Sequence, residues 1–389
     1  MSSAIDSHLA RHAPDWHTEG RVCFRQGAAF YRPNSRIVRD LGVLAAAVYR
    51  QETGHLEVLD AMAATGVRSL RYLAESGAER VVANDANPEL APLLAANLAE
   101  AIASGRCQLQ ATDANRLFFS CYGRQEFFDL VDADSFGSPL PYLTTMFWAL
   151  KVGGLAYITS TDGRATTGHA PVSSLMAYGA YARAHPSAHE QGLRLILGSA
   201  QQQAARQGFG MQPVFAYFSG QTYRVMVRLV ATSQLTPQNY GLLGYCHNCG
   251  NYQVVPWKQL SRARCPHDGS PPVVTGPLWL GALHDREYLQ KMTALAQQWQ
   301  WRRQANLLEI MQAEATMPPY FFTLQAIGKQ GKLDLPKREK LLTALQAAGY
   351  RATLTHIEPQ AIKTDASLAD CVAIAAAISS DGKPLQQPS

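Results

Sequence analysis

The stretch VDADSFGSPLPY, residues 131–142, carries the clearest chemistry: two carboxylates one residue apart, then an aromatic side chain, a glycine and two prolines. An amine on an aromatic base is a poor nucleophile because its lone pair is delocalised into the ring. A carboxylate such as Asp134, accepting one N–H hydrogen bond and later the proton, localises that lone pair for attack on a methyl group. Phe136 would stack on the base. A base in a nucleic-acid helix must first leave its stack, which a tight pocket with an aromatic wall favours. The plainer alternative is a Gly/Pro turn with its carboxylates in solvent.

A second candidate lies upstream, in VLDAMAATGVRSLRYLAESG, residues 58–77. A strand ending at Asp60, a turn of small residues and a helix start follow one another. Small residues let the backbone approach a ligand closely, and a helix start offers free N–H groups. Only Gly66 is present, so the GxGxxG pattern of a pyrophosphate loop is not met. Asp85 is placed to bond ribose hydroxyls, a role an acid also fills for dinucleotides. Asp113, ending the third strand, fits S-adenosylmethionine better, through a hydrogen bond from the exocyclic amine of its adenine. Acids capping strand ends in any α/β domain are the alternative.

A third group is Cys246, Cys249 and Cys265, a C-x2-C pair followed by a lone cysteine in RCPHDG. Tetrahedral zinc needs four ligands, and paired knuckles separated by a short hairpin satisfy that geometry. The second knuckle lacks its last cysteine. Asp268 stands at that position and His267 just before it; His267 is the better intrinsic zinc ligand and Asp268 the better positional match. One structural zinc is expected on Cys246, Cys249, Cys265 and His267, with Asp268 the alternative fourth ligand and His247 exposed. A degenerate knuckle held by packing alone is the other reading.

These side chains need a scaffold that brings them to one edge. Apolar runs end at Asp60, Asp85, Asp113, Asp134 and Asp162, each separated by a turn or an Ala/Leu-rich stretch. Strands alternating with helical stretches give βαβ units and a parallel sheet, whose ligands bind beyond the carboxyl ends of the strands. QPVFAYFSG and TYRVMVRLV, within 212–230, read as an antiparallel hairpin closing that sheet. The fold class expected is therefore α/β, a class I (Rossmann-like) methyltransferase sheet. A smaller C-terminal α+β domain with the knuckle-like Cys cluster follows. The boundaries expected are 1–232 for the methyltransferase domain, 233–284 for a linker and the Cys cluster, and 285–389 for the C-terminal domain. Within the last, one helical stretch is expected from about 285 to 316, a small α+β unit from 318 to 366, and a loose tail, SSDGKPLQQPS.

The chain has 389 residues, 47% hydrophobic and 17% charged, which excludes a disordered protein and allows two or three domains. A net charge of +5 permits an anionic partner without demanding one. Seven unevenly spaced cysteines argue against a disulfide framework. MSSAIDSHLARHAPDW lacks a basic region followed by an apolar stretch, and VAIAAAI is far shorter than the ~20 residues that span a bilayer. A cytoplasmic protein is expected, without a membrane or an obligate protein partner.

FYRPNSRIVRDLGV (30–43), LDAMAATGVRSLRY (59–72), ANDANP (83–88), DAN (113–115), DADSFGSP (132–139), HEQGLRLIL (189–197), GPLWLGALHD (276–285) and THIEPQAIKTDA (355–366) together resemble the tRNA guanine-26 N2-dimethyltransferase family. The resemblance runs from about 30 to 366 and implies transfer of one or two methyl groups from S-adenosylmethionine to the N2 amine of a guanine in tRNA. It implies Arg39 and Arg68 at the cofactor, Asp85 on its ribose, Asp113 and Ala114 near its adenine, Asp134 as catalytic acid and Phe136 as the stacking residue. With Asp60 and Gly66 these complete the expected cofactor side. The family pattern has proline where this chain has Ser135; without proline's fixed φ, a looser loop is expected.

Two other readings use the same residues. One is an amino-methyltransferase for a different RNA base, since an acid and a phenylalanine do not name the base. The other is a non-catalytic tRNA-binding protein that kept the fold, suggested by Ser135 and the incomplete knuckle. Basic residues interleave with aromatics in YQVVPWKQLSRARCP and WQWRRQ, and such side chains neutralise phosphates. Solvated faces are the alternative. By resemblance, PPYFF (318–322) and Lys363 lie in a domain that helps hold tRNA, although the aromatics fit a core equally well.

Overall fold

The computed structural model describes residues 15–334 and 336–380. The expected tail lies outside them from residue 381, as do residues 1–14 of the N-terminal segment. β1 (Trp16–Glu19) and β2 (Val22–Arg25) pair as a hairpin. The main sheet follows: β3 (Glu57–Asp60), β4 (Arg80–Asn84), β5 (Cys107–Gln110), β6 (Phe128–Ala133), β7 (Leu150–Ser160), β8 (Gly210–Ser219) and β9 (Thr222–Val230), in the order β5-β4-β3-β6-β7-β9-β8. β3 to β7 run parallel, and β9 and β8 close one end antiparallel, as the hairpin at 212–230 led one to expect. β6 is buried at every residue. A strand covered on both faces needs apolar residues without alternation, which is why these runs read as continuous.

The strand order reverses at β3, whose neighbours are β4 and β6. Ligands of open α/β sheets gather at such a point. There Asp60 lies in register with Asp132.

The helix Arg36–Thr53 packs on one face of the sheet and is buried from Ile37 to Tyr49. It approaches the sheet tightly at Gly42, where a Cβ would come within 2.9 Å of the Tyr157 ring. The helix Ala188–Arg206 packs on the other face, against β8 and β9. Residues 285–316 form two helices, Arg286–Gln298 and Arg302–Glu314, instead of one. Gln300 breaks the stretch at φ 60°, and Trp299 and Trp301 pack edge to face beside it. Tyr288, Leu289, Met292 and Leu308 then share a core with Leu41 and Val48 of the helix Arg36–Thr53. This pair is thus buried against the sheet's covering helix.

β10 (Tyr240–Tyr245), β11 (Tyr252–Val255) and β12 (Val273–Trp279) make a small antiparallel sheet carrying the cysteines. β13 (Phe322–Thr323), β14 (Ala352–Leu354) and β15 (Ala361–Thr364) make another, flanked by the helices Leu324–Gly331, Arg338–Ala347 and Leu368–Ser380. This is the α+β unit expected after residue 318. Among the described residues no helix is long and apolar enough to cross a membrane.

Candidate active site

Asp134 follows the last residue of β6 at the sheet's carboxyl edge, with its side chain 29% exposed. Two guanidinium groups grip it. Arg68, from the helix Val67–Ala74, donates to Oδ2 at 2.8 Å, and Arg224, from β9, lies 2.9 Å from Oδ1. Burial alone would raise the pKa of Asp134. The charges of Arg224 and then Arg68 outweigh burial and hold it well below the usual carboxylate range, so Asp134 is ionised at any working pH. Arg68 also donates to Asp132 at 2.9 Å, and the Tyr72 hydroxyl donates to the same oxygen at 2.7 Å.

Arg224 escaped the sequence reading. It is buried, stacks near the Tyr157 ring and donates to Thr159 Oγ1. Its Nε and Asp132 Oδ1 are buried with no hydrogen-bond partner among the described residues. Such orphaned groups are costly and suit a ligand that would satisfy them.

The aromatic wall is present. Phe136 is 71% exposed, and the exposed Phe30 meets it edge to face with ring centres 5.1 Å apart. Ser135 changes the expectation of a loose loop: its hydroxyl donates to the Thr159 carbonyl at 3.2 Å. Gly137 adds a backbone bond to Thr161 Oγ1 at 2.7 Å and accepts the Thr161 N–H at 2.9 Å. The loop is therefore tied to the end of β7 by hydrogen bonds where proline would have stiffened it.

On the other side of β3, Asp85 follows β4 and accepts backbone N–H bonds from Ala64 and Asn87, both at 2.9 Å. These bonds aim the carboxylate and leave it lone pairs for hydroxyl donors. Gly66, at φ 77°, starts the helix Val67–Ala74, and a Cβ there would come within 3.1 Å of Leu94. Asp113 is exposed and caps the helix Ala114–Gly123 by accepting from Arg116 N, with Ala114 buried beside it. These side chains converge on one edge and fit an adenosine-bearing cofactor.

Two expected contacts sit differently. Asp60 is fully buried and accepts from Ser69 at 2.7 Å; burial, reinforced by Asp132, raises its pKa. It braces the turn from beneath. Arg39 is 6% exposed and grips Glu19 with two bonds, Nε to Oε1 at 2.7 Å and a terminal nitrogen to Oε2 at 2.5 Å, and that terminal nitrogen also donates to the Arg32 carbonyl at 3.2 Å. Its guanidinium belongs to a cluster with Glu19, Arg71 and Glu75, and it fastens the segment that carries Phe30.

At the cysteines, two matching turns face each other. Gly250 N bonds Cys246 O and Gly269 N bonds Cys265 O, so Asp268 occupies in the second turn the place of Cys249 in the first. The donors gathered are Cys246, Cys249, Cys265 and Asp268, with Cys246 Sγ 3.2 Å from Asp268 Oδ2. His267, the expected fourth ligand, is exposed and outside the group. The turn geometry rather than the intrinsic affinity of imidazole decides the position. Three thiolates and a carboxylate in a closed set suit a structural zinc.

A second cluster, His284, Glu314 and His356, does not suit a metal. His284 Nδ1 accepts the Ala216 N–H, which leaves its Nε2 protonated and aimed at Glu314, and Lys363 adds a positive charge 3.9 Å from the same carboxylate. Lys363 itself is 1% exposed and 2.7 Å from Glu190, so it is an internal ion pair and not an RNA contact. Phe321 and Phe322 are core, and Tyr320 stacks on Tyr252 at 4.7 Å. Trp301 lies under Arg71, and of the aromatics and arginines in WQWRRQ only Arg302 and Arg303 are exposed. Lys258, Arg262 and Arg264 of the other basic segment are exposed beside Trp257.

The profile of a family described as TRM: N2,N2-dimethylguanosine tRNA methyltransferase matches residues 13–376. The tRNA (guanine(26)-N(2))-dimethyltransferase of Pyrococcus furiosus is 31% identical over 87% of this chain and 90% of its own. That of Pyrobaculum arsenaticum is 31% identical over 92% and 93%. The structure of Trm1 from Pyrococcus horikoshii with S-adenosyl-L-methionine superposes with a TM-score of 0.79 at 27% identity, covering 92% of this chain and 99% of that one.

Proposed function

The chain belongs to the N2,N2-dimethylguanosine tRNA methyltransferase family, and on that premise we propose that it methylates the N2 amine of guanine 26 in tRNA with Asp134 at the reacting nitrogen. S-adenosylmethionine, when bound, supplies an electrophilic methyl on a sulfonium. Asp85 would hold its ribose and Asp113 and Ala114 its adenine, while Gly66 leaves the turn open to it. Arg68, already a partner of Asp132 and Asp134, stands between the two halves of the site.

The carboxylate of Asp134 accepts an N–H of the guanine amine and so keeps the nitrogen lone pair out of the purine ring. Once the nitrogen is methylated it carries a positive charge and is a far stronger acid than a carboxylic acid. Asp134 can therefore take the proton even though two arginines weaken it as a base. Phe136 and Phe30 offer exposed faces to an extruded base, whose unstacking must be compensated by new stacking. A second methyl transfer needs the remaining N–H, which the same carboxylate can engage.

The observation that carries this reading is the doubly clamped, partly exposed carboxylate beside exposed aromatic rings at the sheet's carboxyl edge. Methyl transfer to a tRNA transcript tests it: Asp134→Ala should lower the rate about 10²–10⁴-fold with the cofactor still bound. An undiminished rate would remove Asp134 from the chemistry.

A further inference from the structure

On the closing-hairpin side of the catalytic loop lies a cleft of about 510 Å³, lined by none of the residues assigned above to cofactor, metal or methyl transfer. It adjoins the site directly, because Gly137, the residue after Phe136, forms part of its wall. The cleft thus continues from where the target base must stand, away from Asp85 and Asp113.

Its lining combines three features. The rim is bare backbone: a Cβ at Gly137 or Gly220 would meet nothing within 4 Å, and one at Gly163 would meet only the Tyr223 hydroxyl at 3.9 Å. A ligand's own backbone can approach such a rim closely. The floor is rigid and aromatic: the His189 ring stacks on Phe218 with centres 4.0 Å apart, and its Nδ1 lies 2.9 Å from the Tyr223 hydroxyl. The third feature is charge. Arg164 is exposed and no carboxylate pairs with it among the described residues, while Asp162, the one acid of the lining, accepts the Ala165 N–H. His169, also exposed, bonds Thr167 Oγ1 through Nδ1 and leaves Nε2 available.

Resting on the reading of the chain as a tRNA methyltransferase, we propose that this cleft seats a nucleotide flanking the target guanosine, with its phosphate on Arg164 and His169. An extruded base carries its neighbouring phosphodiesters with it, and they must pass the loop on the side away from the cofactor. A cation with no carboxylate partner among the described residues, beside an open glycine rim, matches a phosphate. The aromatic floor matches a base or ribose face.

The test is filter binding of a tRNA transcript at several salt concentrations, with wild type and the double variant Arg164→Ala, His169→Ala. Both side chains are exposed, so the fold should persist. The double variant should bind tRNA about tenfold more weakly and flatten the slope of log K against log salt by about 1. Its affinity for S-adenosylmethionine should equal that of wild type. Unchanged tRNA affinity and slope, with wild type methylating normally, would overturn the cleft assignment alone. Failure of wild type to methylate tRNA at all would overturn the functional reading on which it rests.

Discussion

At the residue scale the decisive feature is a division of labour around one carboxylate. Arg68, in the helix that starts after Gly66, entered as a site residue only through the family resemblance. Arg224 was not legible, since nothing in TYRVMVRLV separates it from Arg228; only the folded register puts one beside Asp134 and the other beside Glu52. Arg39 misled for the converse reason. Its partner Glu19 lies in an N-terminal hairpin with no recognisable pattern, so the sequence could not show that the guanidinium was already engaged. The pair of clamps has a titration consequence. Removing Arg224 takes away the strongest charge depressing the Asp134 pKa. In Arg224→Ala the pKa rises, the ionised fraction falls at low pH, and the acid limb of the kcat profile moves to higher pH. We expect kcat to drop about a hundredfold through misplacement of the carboxylate, with part of it restored in Arg224→Lys. A lower kcat with an unshifted pH profile would make Arg224 a purely structural residue.

At the element scale, strand ends were readable because each apolar run stops at an acid, and a parallel sheet places those stops along one edge. The break at Trp299–Trp301 was not. Leu, Gln and Ala continue a helical composition through it, and the turn at Gln300 is selected by packing of the two tryptophans on the core. The knuckles show the same limit on a smaller scale. His267 and Asp268 are adjacent in sequence, and only the pairing of the two turns decides between them. Metal analysis of the purified protein should find about one zinc per chain. His267→Ala should keep it, Asp268→Ala should lower it, and Asp268→Cys should bind it more tightly. Zinc lost from His267→Ala and kept in Asp268→Ala would reverse the assignment.

At the scale of the whole molecule, the C-terminal α+β unit is joined to the rest by buried charge. Lys363 of β15 reaches Glu190 of the helix Ala188–Arg206, and Glu314 at the end of the helix pair meets His284 and His356. A family resemblance alone placed Lys363 near tRNA; burial places it in this joint. His284 is held neutral by burial, which pushes its pKa down to about 4. Because that folded value lies below the ordinary histidine value, its contribution to stability is complete above about pH 6.5 and is lost as pH falls toward 4. The melting temperature should accordingly fall between pH 7 and pH 5, and fall less in His284→Gln. An equal fall in both would remove His284 from the joint.

Whether this sheet edge presents a clamped carboxylate to the exocyclic amine of one guanine can be read from nucleotide-resolved mapping of methylated tRNA. Wild-type protein with S-adenosylmethionine should produce N2-methylguanosine or N2,N2-dimethylguanosine at position 26, and Asp134→Asn should produce none. Methyl groups found only on another base, or the same product from Asp134→Asn, would contradict that arrangement.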